Sequence, residues 1–177
     1  MIIFLFGRPW AGKTKVGQEL AKILGTTWRD GDEWYTEEEK LRIARGEFTW
    51  DDSRKFFDRV TEKLKESRKE RMLVLSGQSL FLQEYRQKLK DIFSENIFLV
   101  YLHVSKEATI NRGAQQRRFG EREHFYSADQ YKKESDEYEE VGTYDLRVEN
   151  LSTPKQTAQT IVRGVAEYLR KQAKLKL

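Results

Sequence analysis

Apolar residues gather in five short runs: Ile2–Phe6, a short one near Thr27–Arg29, Met72–Leu75, Ile97–His103 and Tyr144–Val148. Each has the length of a buried strand. The stretches between them carry helical spacing instead. After the first run, Val16, Leu20, Ile23 and Leu24 share one helical face. Near the C-terminus Ala158, Ile161, Val162, Val165 and Leu169 do the same, so the last helix is expected to pack on the sheet. Strands alternating with helices predict an α/β fold: a parallel sheet, right-handed crossovers and helices on both faces.

Helix boundaries are legible in the chemistry of their ends. Thr36 with Glu39, Ser127 with Gln130, and Thr153 with Gln156 have capping-box spacing. Pro154 falls at a first helical position, where its missing N–H costs little. Gly25 and Gly46 sit where helices should stop. The segment from Arg112 to Tyr126 differs from the rest. It is rich in arginine and poor in large aliphatics, so it reads as a charged lid and not as core.

At 177 residues the chain suits one domain spanning 1–177. Charged residues make up 35% and the net charge is +4, a modest positive balance that suits phosphate-bearing ligands without indicating nucleic acid. The charge is interleaved, as in Lys63 to Arg71, which reads as a solvated helix face. Cysteine is absent, which excludes disulfides and thiol chemistry and fits a reducing compartment. The apolar start is too short for a signal peptide or a membrane span, so the expected location is the cytoplasm, without membrane attachment. The C-terminal Lys-Leu-Lys-Leu reads as a fraying helix end.

Gly7-Arg8-Pro9-Trp10-Ala11-Gly12-Lys13-Thr14 matches G-x-x-x-x-G-K-[ST] between a strand and a helix. In that context the loop and helix start surround a polyphosphate, here that of ATP. Lys13 is expected to reach the β- and γ-phosphates, and the Thr14 hydroxyl to ligate Mg²⁺. A bland alternative is a Gly-rich turn with a solvated lysine.

The acceptor of a phosphoryl group should lie beyond the C-terminal ends of neighbouring strands. Asp30-Gly31-Asp32 follows the second strand. There Asp30 is expected to hold Mg²⁺ through water, while Asp32 orients the acceptor hydroxyl or takes its proton. The alternative is a polar turn. Ser76-Gly77-Gln78-Ser79 follows the third strand; Gln78 is expected on a substrate-facing wall, and Ser79 there or as a helix N-cap. In the lid, Arg112 sits near the hinge beside the nucleotide. Arg117 and Arg118 sit mid-lid, where their charge can stabilise the transferring phosphoryl group, and Arg122 lies further on. Four arginines exceed what that step needs, so some are expected to be solvated.

These residues resemble the gluconokinases, small carbohydrate kinases with the phosphate-loop fold of shikimate and nucleoside-monophosphate kinases. The stretch from Lys13 to Gly46 is similar without gaps. Gly46-Glu47, Asp51, Asp52 and Arg54 resemble the family's G-E-P-L-x-D-x-D-R segment. Ser79 with Tyr85-Arg86 is similar to its S-A-L-K-x-x-Y-R segment, and His124-Phe125 to its H-F stretch. The resemblance implies a three-layer fold with a five-stranded parallel sheet in the order 2-3-1-4-5. It also implies ATP and Mg²⁺, and transfer to a hydroxyl of a small sugar acid such as gluconate. By the same carry-over Asp30 and Asp32 flank the acceptor, Arg54 binds its carboxylate or hydroxyls, and His124 lines the closed site. A homodimer is common in the family, although no exposed apolar stripe here argues for one.

Four departures from the family pattern stand out: Tyr35 for a histidine, Ser53 for an aspartate, Leu82 for a lysine, and Trp10 for a loop glycine. The first three fall on the acceptor side. Trp34, Tyr35, Phe48 and Trp50 either stack on a base or belong to the core, which keeps a nucleoside, nucleotide or polynucleotide 5′-hydroxyl kinase as an alternative. Trp10 keeps open a non-catalytic ATP-binding relative. A GTPase-type switch is excluded by the lack of D-x-x-G and N/T-K-x-D segments.

Overall fold

The computed structural model describes residues 1–118 and 136–175, and side chains over 1–114 and 136–174. Five parallel strands form one sheet: β1 (Ile2–Phe6), β2 (Trp28–Asp30), β3 (Val74–Gln78), β4 (Ile97–His103) and β5 (Leu146–Glu149). Their order is β2-β3-β1-β4-β5, as the resemblance implied. Ile2 pairs with Val74 on one side and Ile97 on the other, so β1 is central. Among the described residues six α-helices cover the sheet: α1 (Lys13–Leu24), α2 (Glu37–Arg45), α3 (Trp50–Glu70), α4 (Gln83–Phe93), α5 (Lys106–Arg118) and α6 (Pro154–Leu175).

Period-two alternation in β1 explains the layers. Ile2, Phe4 and Phe6 point to one face, where they meet Phe57, Val60 and Leu64 of α3 and Tyr85 and Leu89 of α4. Ile3 and Leu5 point to the other, against Val16 and Leu20 of α1 and Ala158, Ile161 and Val165 of α6. In β4 Leu99 and Tyr101 take the first face, Phe98 and Val100 the second. A strand buried on both sides has no polar alternation, which is why these runs are continuously apolar.

The capping boxes expected at Thr36 and Thr153 form, with Glu39 and Gln156 as partners. A third, unanticipated one joins Thr49 to Asp52 and starts α3. Helices α1 and α2 end at Gly25 and Gly46, and Pro154 is the first residue of α6. The Ser127–Gln130 box lies outside the described residues. The predicted lid begins as regular helix, since Arg112–Arg118 continue α5; its remainder, 119–126, lies outside the described residues.

Several boundaries and faces need correction. Met72 is 91% exposed and not part of β3. Its carbonyl is held by the N-terminal ammonium (2.6 Å) and by Arg68 (3.0 Å), which keeps it in the connection ahead of the strand. The strand instead runs on through Ser76, Gly77 and Gln78, expected to lie after it. Tyr144 and Asp145 precede β5: the Asp145 carboxylate takes the Leu99 N–H (2.7 Å) and bonds Lys90 on both oxygens. Ile23 and Leu169 are exposed. The inward stripe of α1 is Val16, Gly17, Leu20 and Ala21, rotated from the expected one because the Trp28 ring docks on Gly17. In α6 the last contact with the sheet is Tyr168 against Phe98, ring centroids 4.9 Å apart. Among the described residues no helix is long and apolar enough to cross a membrane.

A Cβ at Gly17 would lie inside the Trp28 ring, which also rests against Gly77. Gly17→Ala should therefore force α1 away from β2 and cost about 1–3 kcal/mol, the range for overpacking a core. Chemical denaturation should read this as a lower midpoint at unchanged slope.

Candidate active site

The chain leaves β1 into a loop that must turn back and start α1. Ala11 donates to the Arg8 carbonyl at 3.0 Å. Gly12 then takes φ 92°, a backbone open to glycine at little cost. The space where its Cβ would stand is filled by the Asn150 amide, 2.7 Å away. Trp10, which stands where the gluconokinase pattern has glycine, has φ 61°. For a residue with a side chain that conformation costs roughly 1–2 kcal/mol. The ring packs against Gly113 of α5, and this contact offsets the cost. The tryptophan thus joins the loop to α5.

Lys13 opens α1 and folds its ammonium back over the loop. It donates to Gly7 O (3.2 Å), Arg8 O (3.1 Å) and Ser79 Oγ (2.8 Å). Burial pushes its pKa down, and the charges of Asp32 and Asp30 oppose that push. The ammonium is therefore placed among weak, exchangeable acceptors where a stronger anion would be preferred. Beside it the Thr14 hydroxyl donates to Asp30 Oδ2 at 2.6 Å. Asp30, at the end of β2, accepts the Asp32 N–H on its other oxygen (3.2 Å) and thereby caps the 3₁₀ turn 31–34. Thr14 and Asp30 together offer two hard oxygen donors. That set fits Mg²⁺, which keeps several waters and takes one or two protein oxygens plus phosphate. Asp32 is exposed, and its charge acts on Lys13.

Sequence reasoning missed what holds this loop from below. Asn150, just after β5, is buried. Its Nδ2 donates to Ala11 O (2.5 Å), and its Oδ1 accepts from the Thr157 hydroxyl of α6 (2.8 Å). Its carbonyl accepts from Arg112 at 2.7 Å. The signal was an Asn after a strand and four residues before Pro154, which by itself reads as a turn. Arg86 was quoted only as part of a motif. It is fully buried and donates to the carbonyls of Leu80, Phe81, Glu139 and Glu140. The Arg8 and Arg86 guanidiniums lie 4.7 and 5.0 Å from the centre of the Tyr138 ring, a double cation–π contact. Burial raises the pKa of the Tyr138 hydroxyl, so it stays neutral. In this way the chain entering the described region at 136 is fastened next to the phosphate loop.

On the far side of Ser79 opens a cavity of about 450 Å³ between α2, α3 and the end of β3. Ser79, which bonds Lys13, and Gln78 line it together with Tyr35, Phe48, Thr49, Ser53 and Phe56. Tyr35 stacks on Phe56 with centroids 3.7 Å apart and meets Phe48 edge-on at 5.8 Å. Helix α2 and the start of α3 are fixed by two bidentate ion pairs, Arg42–Asp52 (2.8 and 2.7 Å) and Arg59–Glu39 (2.6 and 3.1 Å).

The structure thus brings together the loop 7–12, Lys13, Thr14, Asp30, Asp32, Tyr35, Gln78 and Ser79. Arg54 stands apart: it is exposed, bonds Asp51 at 3.1 Å and does not line the cavity. Ser79 does not cap a helix; α4 begins at Gln83 after Leu82, and Ser79 accepts from Lys13 instead. Arg117 and Arg118 are on the last turn of α5, but their side chains, like Arg122 and His124 as a whole, lie outside the described residues.

The model of the shikimate kinase family matches residues 9–167, and the chain belongs to that family. A shikimate kinase of Psychrobacter arcticus is 31% identical over 114 residues; the match covers 63% of this chain and 59% of that protein. A gluconokinase of Sinorhizobium meliloti has the same fold, with TM-score 0.78, 21% identity and coverage of 98% of this chain and 95% of that one. A sugar kinase of a Janibacter species does too, with TM-score 0.78, 15% identity and coverage of 93% and 94%.

Asn150→Asp keeps an acceptor for Thr157 but turns an oxygen toward Ala11 O, where the amide donated. Loss of that buried donor should destabilise the protein by about 1–3 kcal/mol. It should also weaken ATP binding measured by calorimetry, because the loop that faces the phosphates loses its support.

Proposed function

We propose that this chain transfers the γ-phosphoryl group of ATP to a hydroxyl group of a small molecule. One observation carries the reading: Lys13, Thr14 and Asp30 converge at a strand–loop–helix junction that shares Ser79 with a cavity. ATP with Mg²⁺ would supply the phosphoryl group and part of the charge neutralisation. The backbone N–H groups of the loop and of the start of α1 would bind the polyphosphate. Thr14 and Asp30 would hold the metal side.

Lys13 would exchange the carbonyls of Gly7 and Arg8 for phosphate oxygens, at no cost in new side-chain ordering. Asp32, whose charge acts on Lys13, would orient the acceptor hydroxyl and take its proton. Ser79 and Gln78 would bound the reacting end of the acceptor. Arg117 and Arg118 follow on α5, the helix against which Trp10 packs, and would bring charge to the transferring group. The resemblance to gluconokinases suggests a sugar acid such as gluconate as acceptor, and the family suggests shikimate. In either case Arg54 or a cation from the lid, with His124, would have to meet the carboxylate.

Lys13→Ala should reduce turnover by at least about 10²-fold, the scale for losing a preorganised charge at the transferring group. A coupled ADP-release assay over sugar acids, shikimate-like acids, sugars and nucleosides measures it, with circular dichroism to confirm the fold. Asp32→Asn should lower kcat by about 10²-fold with ATP binding retained, as for loss of a positioned base. Wild-type turnover in both variants would overturn the assignment.

A further inference from the structure

Ser79 both bonds Lys13 and lines the cavity. We propose that it is a positioning residue for the transfer: its hydroxyl accepts from the Lys13 ammonium and donates to an oxygen of the acceptor. One side chain then aligns the phosphate-binding lysine with the hydroxyl to be phosphorylated. This rests on the phosphotransfer reading above and adds a working residue to that site.

The backbone fixes where this side chain stands. Strands β1 and β3 pair in register up to Phe6 and Gln78. The residues that follow, Gly7 and Ser79, therefore leave the sheet at the same level, one into the phosphate loop and the other beside the cavity. The Ser79 N–H donates to Oε1 of its neighbour Gln78 at 2.7 Å, and Gln78 is buried. Ser79 is thus held at its backbone, and its hydroxyl is the part that turns to suit its partners.

Hydrogen-bond polarity gives that hydroxyl a direction. An ammonium can only donate. In the contact at 2.8 Å Ser79 Oγ is therefore the acceptor, and its proton points away from Lys13. A half-buried serine on the cavity wall presents that donor to a molecule that fills the cavity. The cation on its oxygen polarises the O–H and strengthens the bond it makes next. The other Lys13 bonds, to the Gly7 and Arg8 carbonyls, lie within the phosphate loop and are the ones phosphate oxygens replace. The Ser79 bond comes from the end of a separate strand and stays when the loop fills. In the transfer the acceptor oxygen bonds to the γ-phosphorus as the bond from phosphorus to the leaving ADP oxygen breaks, and the acceptor's proton passes to Asp32. Ser79 keeps its own proton; it orients the acceptor and gives Lys13 a fixed point.

The test uses the full chain as wild type, Ser79→Ala, Lys13→Ala and the variant with both changes. ADP release is measured with shikimate, gluconate, ribose and adenosine, and the compound with the highest kcat/KM is carried through the series. Calorimetry with a non-hydrolysable ATP analogue and Mg²⁺ gives nucleotide affinity and checks folding. Ser79→Ala should lower kcat/KM for the acceptor by about 10- to 100-fold, the scale of one hydrogen bond to a charged partner. Its affinity for the analogue should stay within about three-fold of wild type. In the Lys13→Ala background the same change should cost at least about three-fold less, because the lysine it positions is gone. A parallel fall of analogue affinity and acceptor kcat/KM would make Ser79 a support of the loop and overturn the proposal. Wild-type kinetics in Ser79→Ala, or additive losses in the double variant, would overturn it as well. Should Ser79→Ala not fold, Ser79→Cys, which keeps the volume but only a weak donor, decides by the same readouts. Turnover of none of these compounds by the wild type would instead overturn the phosphotransfer reading itself.

Discussion

The site depends on keeping a loop of backbone N–H groups open toward an anion. Within the loop the Ala11 N–H bonds the Arg8 carbonyl, which leaves the loop's other donors to turn toward phosphate. Its support must come from beneath, and here it comes from Asn150 on Ala11 O. That bond spans 139 residues of sequence and is possible only because the sheet order sets β5 two strands from β1. The same residue ties in Thr157 of α6 and, through its carbonyl, Arg112 of α5. One residue thus ties together the loop, α6 and α5. Gly12 is the counterpart: its missing Cβ is the space this amide occupies.

What the sequence made legible follows from how local the physics is. The phosphate loop, the central strand and the capping boxes at Thr36 and Thr153 are decided by contiguous residues. The strand–loop–helix course around residues 7–14, the central strand and those caps formed as expected because neighbouring chain alone specifies them. The doubly buried β1 and β4 were legible as unbroken apolar runs for the same reason. The errors lie where a distant partner decides. The face of α1 is set by Trp28 docking on Gly17, and the start of β3 by the N-terminal ammonium on Met72. The role of Ser79 is set by Lys13, 66 residues earlier. Asn150 was invisible because its partners lie on the loop after β1 and on α6. Arg86 was visible only as a motif letter, since an arginine without a carboxylate partner gives no hint in sequence that backbone carbonyls will satisfy it.

The departures from the gluconokinase pattern gain meaning together. Tyr35, in place of a histidine, stacks on Phe56 and makes up part of the cavity's aromatic wall. Ser53, in place of an aspartate, also lines the cavity. Leu82, in place of a lysine, packs against the core cluster below it. Each change removes a charged or chargeable group from one region, and none touches Lys13, Thr14, Asp30 or Asp32. A region losing function would be expected to drift on both sides of the reaction centre. Here Lys13, Thr14, Asp30 and Asp32 are retained, while Tyr35 and Ser53 alter the cavity lining.

Trp10 fits the same division. It occupies a left-handed backbone at a cost of roughly 1–2 kcal/mol, yet the loop around it keeps the Lys13 and Asn150 contacts. The strain is offset by the ring's contact with Gly113 on α5. A glycine there would let the loop and α5 move independently. The tryptophan makes the position of α5, and of the arginines that follow on it, depend on the shape of the phosphate loop.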